Sequence, residues 1–187
     1  MVQEQKRKGL VSDPFVFISD HRLKADILDA LDFSAYLTVT LSGAREGLFK
    51  RELRRTNVLY IASVIEAVCL FLLEKKKVLV EKVEYKYVCP LKTPPEVSIS
   101  SGILVFALQV RGTFPFQNTA FAQAIQTLKA KKIIAVSLAE DLDYIREARN
   151  TQHLYRRSSK HISQGDVESA LATLKKILDQ IPASIKT

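Results

Sequence analysis

Hydrophobic and polar positions recur along this chain in two patterns, and helical spacing is the commoner one. Apolar residues three and four positions apart predict a helix from about Asp20 to Ala44 and a longer one from about Arg51 to Lys77. Three more helices are predicted after residue 117: from Asn118, as N-cap, to about Lys132, from Ser137 to about Arg156, and onward from a capping box at Ser163. The chain is therefore predicted to be mainly α-helical.

Between the second and third helices the pattern changes to strict alternation. Val83, Tyr85 and Tyr87 alternate with charged residues, as in a half-buried strand, and residues 97–111 are rich in Val, Ile and Phe. We therefore expect residues 78–116 to form a β-hairpin inserted in one helical domain that spans 1–187. Residues 1–19 show neither pattern and are predicted to form a loose N-terminal arm.

Composition and charge bear on the partners, the cofactors and the location of the protein. The 187 residues carry 28 Lys and Arg against 20 Asp and Glu, a net charge of +8, which favours polyanionic partners such as RNA. No stretch of about 18 uncharged apolar residues occurs, so we expect no membrane span, and no signal peptide is recognised. Two cysteines and three histidines show no metal-ligand spacing, and no phosphate-binding glycine loop is present. We accordingly expect a cytoplasmic protein without a metal or cofactor.

The fourth predicted helix carries the most informative polar residues. Arg146, Arg149, Asn150 and His153 are spaced by three, four and seven, which places them on one helical face. Arg149 falls within the apolar stripe of this helix, and Glu66 falls within the apolar face of the second. Because a buried unpaired charge is costly, we predict that Glu66 pairs with Arg149 or Arg146.

Such a face suits metal-independent RNA cleavage. That reaction needs a base for the 2′-hydroxyl proton, an acid for the leaving oxygen and a cation for the phosphorane charge. Histidine moves protons near neutral pH and arginine binds phosphate, and a two-fold dimer would supply two such sets. The alternative is that the ion pair only fixes helix register and the histidine is an ordinary hydrogen-bonded side chain.

The segment Tyr144-Ile-Arg-Glu-Ala-Arg-Asn-Thr-Gln-His-Leu-Tyr155 resembles the signature of the HEPN superfamily (higher eukaryotes and prokaryotes nucleotide-binding). That signature is an Arg, four to six residues, then a His, often with an Arg-Asn pair and a Tyr two positions after the His. Six residues separate Arg146 from His153, whereas only three separate Arg149 from it, so which arginine is the functional one stays open. Residues 59–75, with Glu66, resemble the second helix of such domains, where an acidic residue commonly faces the motif.

The resemblance implies an up-and-down bundle of about four to five helices that dimerises around the motif. It implies a metal-independent endoribonuclease of a toxin–antitoxin or other defence system, with RNA as substrate and an antitoxin protein as a partner. The catalytic residues would be Arg146, Arg149, Asn150 and His153, with Glu66 and Tyr155 in support, Tyr155 as a candidate for regulatory nucleotidyl transfer. The basic residues Arg156, Arg157 and Lys160 follow the motif and are candidates for RNA contact.

Two other interpretations stay open at this stage. One is a non-catalytic helical module for dimerisation or partner binding, in which the Arg and His residues are structural and a partner docks on the hairpin. The other is a nucleotide-binding or antitoxin-regulated domain without cleavage activity. The basic runs at 51–55 and 129–132 are equally consistent with an RNA path and with solvated helix faces.

Overall fold

A computed structural model describes residues 13–88, 106–114, 119–150 and 161–181 of the chain. The elements in this part are α1 (His21–Gly43), α2 (Leu48–Lys75), β1 (Val80–Val88), β2 (Phe106–Phe114), α3 (Phe121–Ala130), α4 (Val136–Asn150) and α5 (Gln164–Gln180). The prediction of a mainly helical chain is confirmed, and each described helix begins and ends within a few residues of its predicted position, as far as the description extends.

Helix α2 is the centre of the fold. It contacts all four other described helices, and α4 also packs between α3 and α5. Its inward side chains, among them Val58, Ile61, Ile65 and Cys69, are fully buried. Burial of this apolar face on several sides, more than intrinsic propensity, stabilises a helix of this kind.

By length and composition α2 could also cross a membrane, since its most apolar 18-residue window has a mean hydropathy of 2.0. That window is 61% buried inside the fold, and the core helix of a globular protein meets the same criteria. The finding is therefore weak evidence for a span.

Strands β1 and β2 pair antiparallel, with Val80 opposite Phe114 and Val88 opposite Phe106. Both lie within the predicted hairpin at 78–116, and β1 also contacts α3. The residues that would connect them, 89–105, lie outside the described part.

The N-terminal prediction is wrong for residues 15–18. Phe15, Phe17 and Ile18 are buried in the main core, and the ring of Phe17 lies 5.7 Å from that of Phe71 on α2. Aromatic side chains bury large apolar areas, so even a short segment without helical periodicity is held in place. Residues 1–12 lie outside the described part.

Other departures from prediction are local. Helix α3 begins after Ala120, whose N–H donates to Gln123 Oε1 (3.4 Å), rather than after Asn118. Its buried residues are Phe121, Ala124, Ile125 and Leu128. The buried residues of α1 include the polar Ser34. Ser34 is buried because Asn57 of α2 gives it a hydrogen-bond partner, with 2.5 Å from Ser34 Oγ to Asn57 Oδ1.

Candidate functional site

The motif helix α4 packs against α2, and its described part ends at Asn150. Its core positions are Leu138, Leu142, Ile145 and Ala148, each almost completely buried. Arg146, Arg149 and Asn150 lie at the edge of this stripe and are partly exposed. The catalytic candidate His153, the supporting Tyr155 and the RNA-contact candidates Arg156, Arg157 and Lys160 lie outside the described residues.

The predicted ion pair between Glu66 and Arg149 is present. Arg149 Nη1 lies 2.7 Å from Glu66 Oε2, which joins α4 to α2. The prediction that these charges are buried is wrong, since the side chains are 32% and 21% exposed. Arg149 lies one position past the buried Ala148, and this places its guanidinium at the rim of the core, where water still reaches it. A pair in this setting contributes at most about 1 kcal/mol.

Arg146 makes no pair with Glu66 but binds carboxylates of its own helix. Its Nε donates to Asp143 Oδ1 (3.0 Å) and its Nη2 lies 2.6 Å from Glu147 Oε1. Burial opposes the charge of Arg146, but the hydrogen bond to Asp143 and the attraction of Glu147 outweigh it and raise the pKa of the guanidinium. Asp143 also accepts from Gln126 of α3, at 3.3 Å, so this side of the motif is tied to a third helix.

A second polar cluster joins helix α4 to helix α5. Tyr144 of α4 donates a hydrogen bond to Asp166 Oδ1 of α5. Asp166 Oδ2 accepts from the backbone N–H and the hydroxyl of Ser163, at 2.7 and 2.6 Å, and Ser163 Oγ caps the helix in return. The predicted capping box is thus confirmed, and the hydrogen bond from Tyr144 links the middle of α4 to the first turn of α5.

The Tyr144–Asp166 contact has a spectroscopic consequence. Hydrogen bonding to Asp166, with some burial, raises the pKa of the Tyr144 hydroxyl above its usual value of 10. The stabilising contact is therefore complete below pH 10 and is lost as the pH rises through the raised value. When tyrosinate absorbance is titrated, we expect wild type to show a transition above pH 10 that is missing in Tyr144→Phe. Asp166→Asn is the control, because it removes the acceptor charge and should return this transition towards 10.

The buried thiol of Cys69 adds no reactive group to the candidate site. Burial raises the pKa of the Cys69 thiol, so this cysteine stays protonated and is a poor nucleophile. The described residues contain no group of three or more His, Cys, Asp or Glu side chains placed to hold a metal ion.

The described part of the motif can thus present a partly exposed guanidinium and an amide at the end of a helix packed on the core. The sequence did not predict three parts of this site: Asp143, Glu147 and the hydrogen bond between Tyr144 and Asp166. The i−3 position of Asp143 relative to Arg146 was a readable signal, because residues three apart are neighbours on a helix surface. The adjacent Glu147 gave no such signal, and the Tyr144–Asp166 contact depends on tertiary packing. Comparison of the chain with protein-family models, curated proteins and solved structures gave no match.

Proposed function

We propose that the chain is a metal-independent endoribonuclease of the HEPN type that acts as a homodimer on RNA. The observation that carries the proposal is the Arg149–Glu66 pair: it sets one of the two motif arginines at the rim of the core, at 32% exposure, with Asn150 next to it in the sequence. An arginine held by a carboxylate but still reached by water is suited to stabilise charge on a phosphate.

The roles follow from the chemistry of the side chains. A histidine base takes the 2′-hydroxyl proton, the 2′-oxygen attacks phosphorus, and the 5′-oxygen leaves with a proton from an acid. His153 is assigned to proton transfer, Arg149 and Arg146 to the charge of the phosphorane, and Asn150 to orientation. The products are a 2′,3′-cyclic phosphate and a free 5′-hydroxyl. A second copy of the chain would supply the other histidine.

The proposal extends to the surroundings of the site. Arg156, Arg157 and Lys160 would contact RNA phosphates, and Tyr155 would be open to nucleotidyl transfer. Strands β1 and β2 would be the two arms of a β-hairpin that is inserted in an up-and-down helical bundle. The setting would be a cytoplasmic toxin–antitoxin or defence system with an antitoxin protein as partner.

The test is RNA cleavage by the purified full-length chain in EDTA. We expect single-stranded RNA to be cut into fragments with 2′,3′-cyclic phosphate and 5′-hydroxyl ends. Arg149→Gln, purified in parallel, controls for contaminating ribonuclease and should be inactive. Cleavage that requires a divalent metal, or equal cleavage by the two proteins, contradicts the proposal.

A second candidate function, a non-catalytic helical module, is favoured by the pairing of both arginines. Arg146 binds Asp143 and Glu147, and Arg149 binds Glu66, so each guanidinium already has a carboxylate partner. In this case the pairs fix helix register and a partner docks elsewhere.

A double-mutant cycle on Glu66 and Arg149 separates the two functions. Because the pair is partly exposed, we expect a coupling of about 0.5–1 kcal/mol between Glu66→Gln and Arg149→Gln in urea unfolding. If Arg149 is catalytic, its replacement abolishes cleavage although little stability is lost. A coupling of several kcal/mol, together with no cleavage by wild type, would indicate that the pair serves only the fold.

A further inference from the structure

A second polar region of the molecule is a cavity of about 270 Å³ where the end of α1 meets the starts of α2 and α5. It is lined by Thr38, Leu41, Ser42, Lys50, Arg54 and Gln164. Arg54 and Glu66 are twelve residues apart on α2, which corresponds to about 18 Å along a helix. The cavity is therefore distinct from the Arg149–Glu66 pair.

Arg54 has a hydrogen-bonding group that the described chain leaves unpaired. Its Nη1 and Nη2 donate to the two carboxylate oxygens of Glu46, at 2.8 and 3.0 Å. Its Nε is buried and has no hydrogen-bond partner among the described residues. A buried N–H donor without an acceptor is costly, and such groups are rare in folded proteins. This donor therefore indicates an acceptor that is not part of the described chain.

The charge around the cavity is positive. The two cations Lys50 and Arg54 line it. Both pair with one carboxylate, Glu46, and Lys50 Nζ lies 3.8 Å from Glu46 Oε2. Lys50 belongs to the first turn of α2, which has no acidic residue and is preceded by Gly47, a residue with no side chain to cap it. The positive end of the helix dipole thus adds to the two cations instead of being neutralised.

The remaining polar groups also favour an anion. Thr38 Oγ1 donates to Ser34 O (3.0 Å) and Ser42 Oγ donates to Val39 O (2.6 Å), so both hydroxyl protons are used within α1. Gln164 Nε2 uses one proton on Glu168 (3.3 Å) and keeps a second. The nitrogen donors of the lining therefore belong to three side chains: the Lys50 ammonium, the Arg54 guanidinium and the Gln164 amide.

We propose that this cavity binds a phosphate group, carried either by a free nucleotide or by an RNA backbone. A phosphate has several acceptor oxygens and suits a site made of a guanidinium, an ammonium and an amide. The volume lies at the lower end for ligand sites, which fits a small oxyanion better than a large apolar ligand. The proposal does not depend on nuclease activity, since the cavity is separate from the motif.

Glu46 acts in this site as a competing anion of the chain itself. It lies in the connection between α1 and α2, its side chain is 67% exposed, and it occupies the fork of Arg54. The hydrogen bond from Arg54 lowers the pKa of Glu46, so the carboxylate is charged at neutral pH. Removal of this charge should strengthen phosphate binding, whereas removal of Arg54 should weaken it.

The experiment is calorimetric titration of the full-length chain with inorganic phosphate, with adenosine monophosphate and with a 2′-O-methyl oligoribonucleotide that cannot be cleaved. We expect Arg54→Gln to lower affinity by about tenfold or more, and Glu46→Gln to raise it. Arg55→Gln is the matched control: Arg55 is the next residue on α2, is also 15% exposed and is also paired with a carboxylate, Glu52, but does not line the cavity. It should change affinity by less than about twofold.

Each outcome decides the proposal. Arg54-dependent binding of phosphate or the mononucleotide supports a free ligand, and Arg54-dependent binding of the oligonucleotide alone supports an RNA backbone. Equal losses in Arg54→Gln and Arg55→Gln, or no saturable binding of any probe, overturn it and leave water as the partner of Nε. If Arg54→Gln does not fold, Lys50→Met provides the same comparison. The measurement is binding of probes that are not cleaved, so a failure of the nuclease proposal would not affect this result.

Discussion

Replacement of His153 by alanine is expected to lower RNA cleavage by about 10²–10⁴-fold, the contribution of a positioned acid or base. The reason is chemical: among the motif side chains, imidazole is the one that exchanges protons near neutral pH, whereas the guanidinium groups of Arg146 and Arg149 stay charged. We expect the wild-type rate to depend on pH with a maximum between the values at which the acid and the base titrate. The measurement is the initial rate of cleavage in EDTA between pH 5 and 9.

His161→Ala is the matched control for this prediction. His161 lies three residues before Gln164, the first residue of α5, and is exposed. It should retain wild-type activity. Thermal unfolding followed by circular dichroism checks that both variants are folded. A His153→Ala protein that is folded and fully active would remove the catalytic assignment, whereas loss in both variants would point to the segment as a whole and not to one imidazole.

The helices could be predicted from the sequence because their apolar positions recur at helical spacing. The stripe of α3 and the capping box of α5 were each readable from a few residues, and both are present. Helix ends were harder to predict. Helices α2 and α3 are followed by Lys77 and Lys132 in the left-handed region, with φ of 50° and 56°, where glycine is the usual signal.

The part of the core outside the helices could not be predicted. Phe15, Phe17 and Ile18 are buried without following a helical spacing, and Phe17 packs against the ring of Phe71, which is distant in sequence. Sequence patterns report local spacing, whereas docking of a short segment depends on the shape that the helices leave between them.

The same distinction holds for the candidate site. The sequence predicts a pair of Glu66 with Arg149 or Arg146, because Glu66 and Arg149 are each a charge within an apolar stripe and an opposite charge on an adjacent helix offsets the cost of burial. The structure selects Arg149. The exposure of the pair was predicted wrongly, since a helical projection gives the face of a residue but not the position of the core's edge. The unpaired Nε of Arg54 had no sequence signal, because its burial results from three helix ends that meet.

Asn57→Asp is expected to destabilise the fold by about 3–5 kcal/mol at pH 7, because it places an uncompensated charge in the core. Asn57 is completely buried on α2 and joins it to α1: its Oδ1 accepts from Ser34 Oγ (2.5 Å) and its Nδ2 donates to Thr38 Oγ1 (2.9 Å). Aspartate has the same shape but loses the donor and carries a charge. Burial raises the pKa of a carboxyl group, so the folded variant holds its proton to higher pH than the unfolded chain does. Its stability relative to wild type is then greatest below the unfolded pKa of about 3.9 and falls as the pH rises through the folded value.

Urea unfolding of wild type, Asn57→Asp and Asn57→Ala at pH 4 and pH 7 measures this effect. Asn57→Ala is the control that removes both hydrogen bonds without introducing a charge, so its cost should be nearly independent of pH. The pH-dependent part of the difference between the two variants therefore reports the charge, and the excess cost of Asn57→Asp should shrink at pH 4. If both variants lose the same stability at both pH values, water reaches this position, and the link between α1 and α2 is not the dry polar contact that fixes their register.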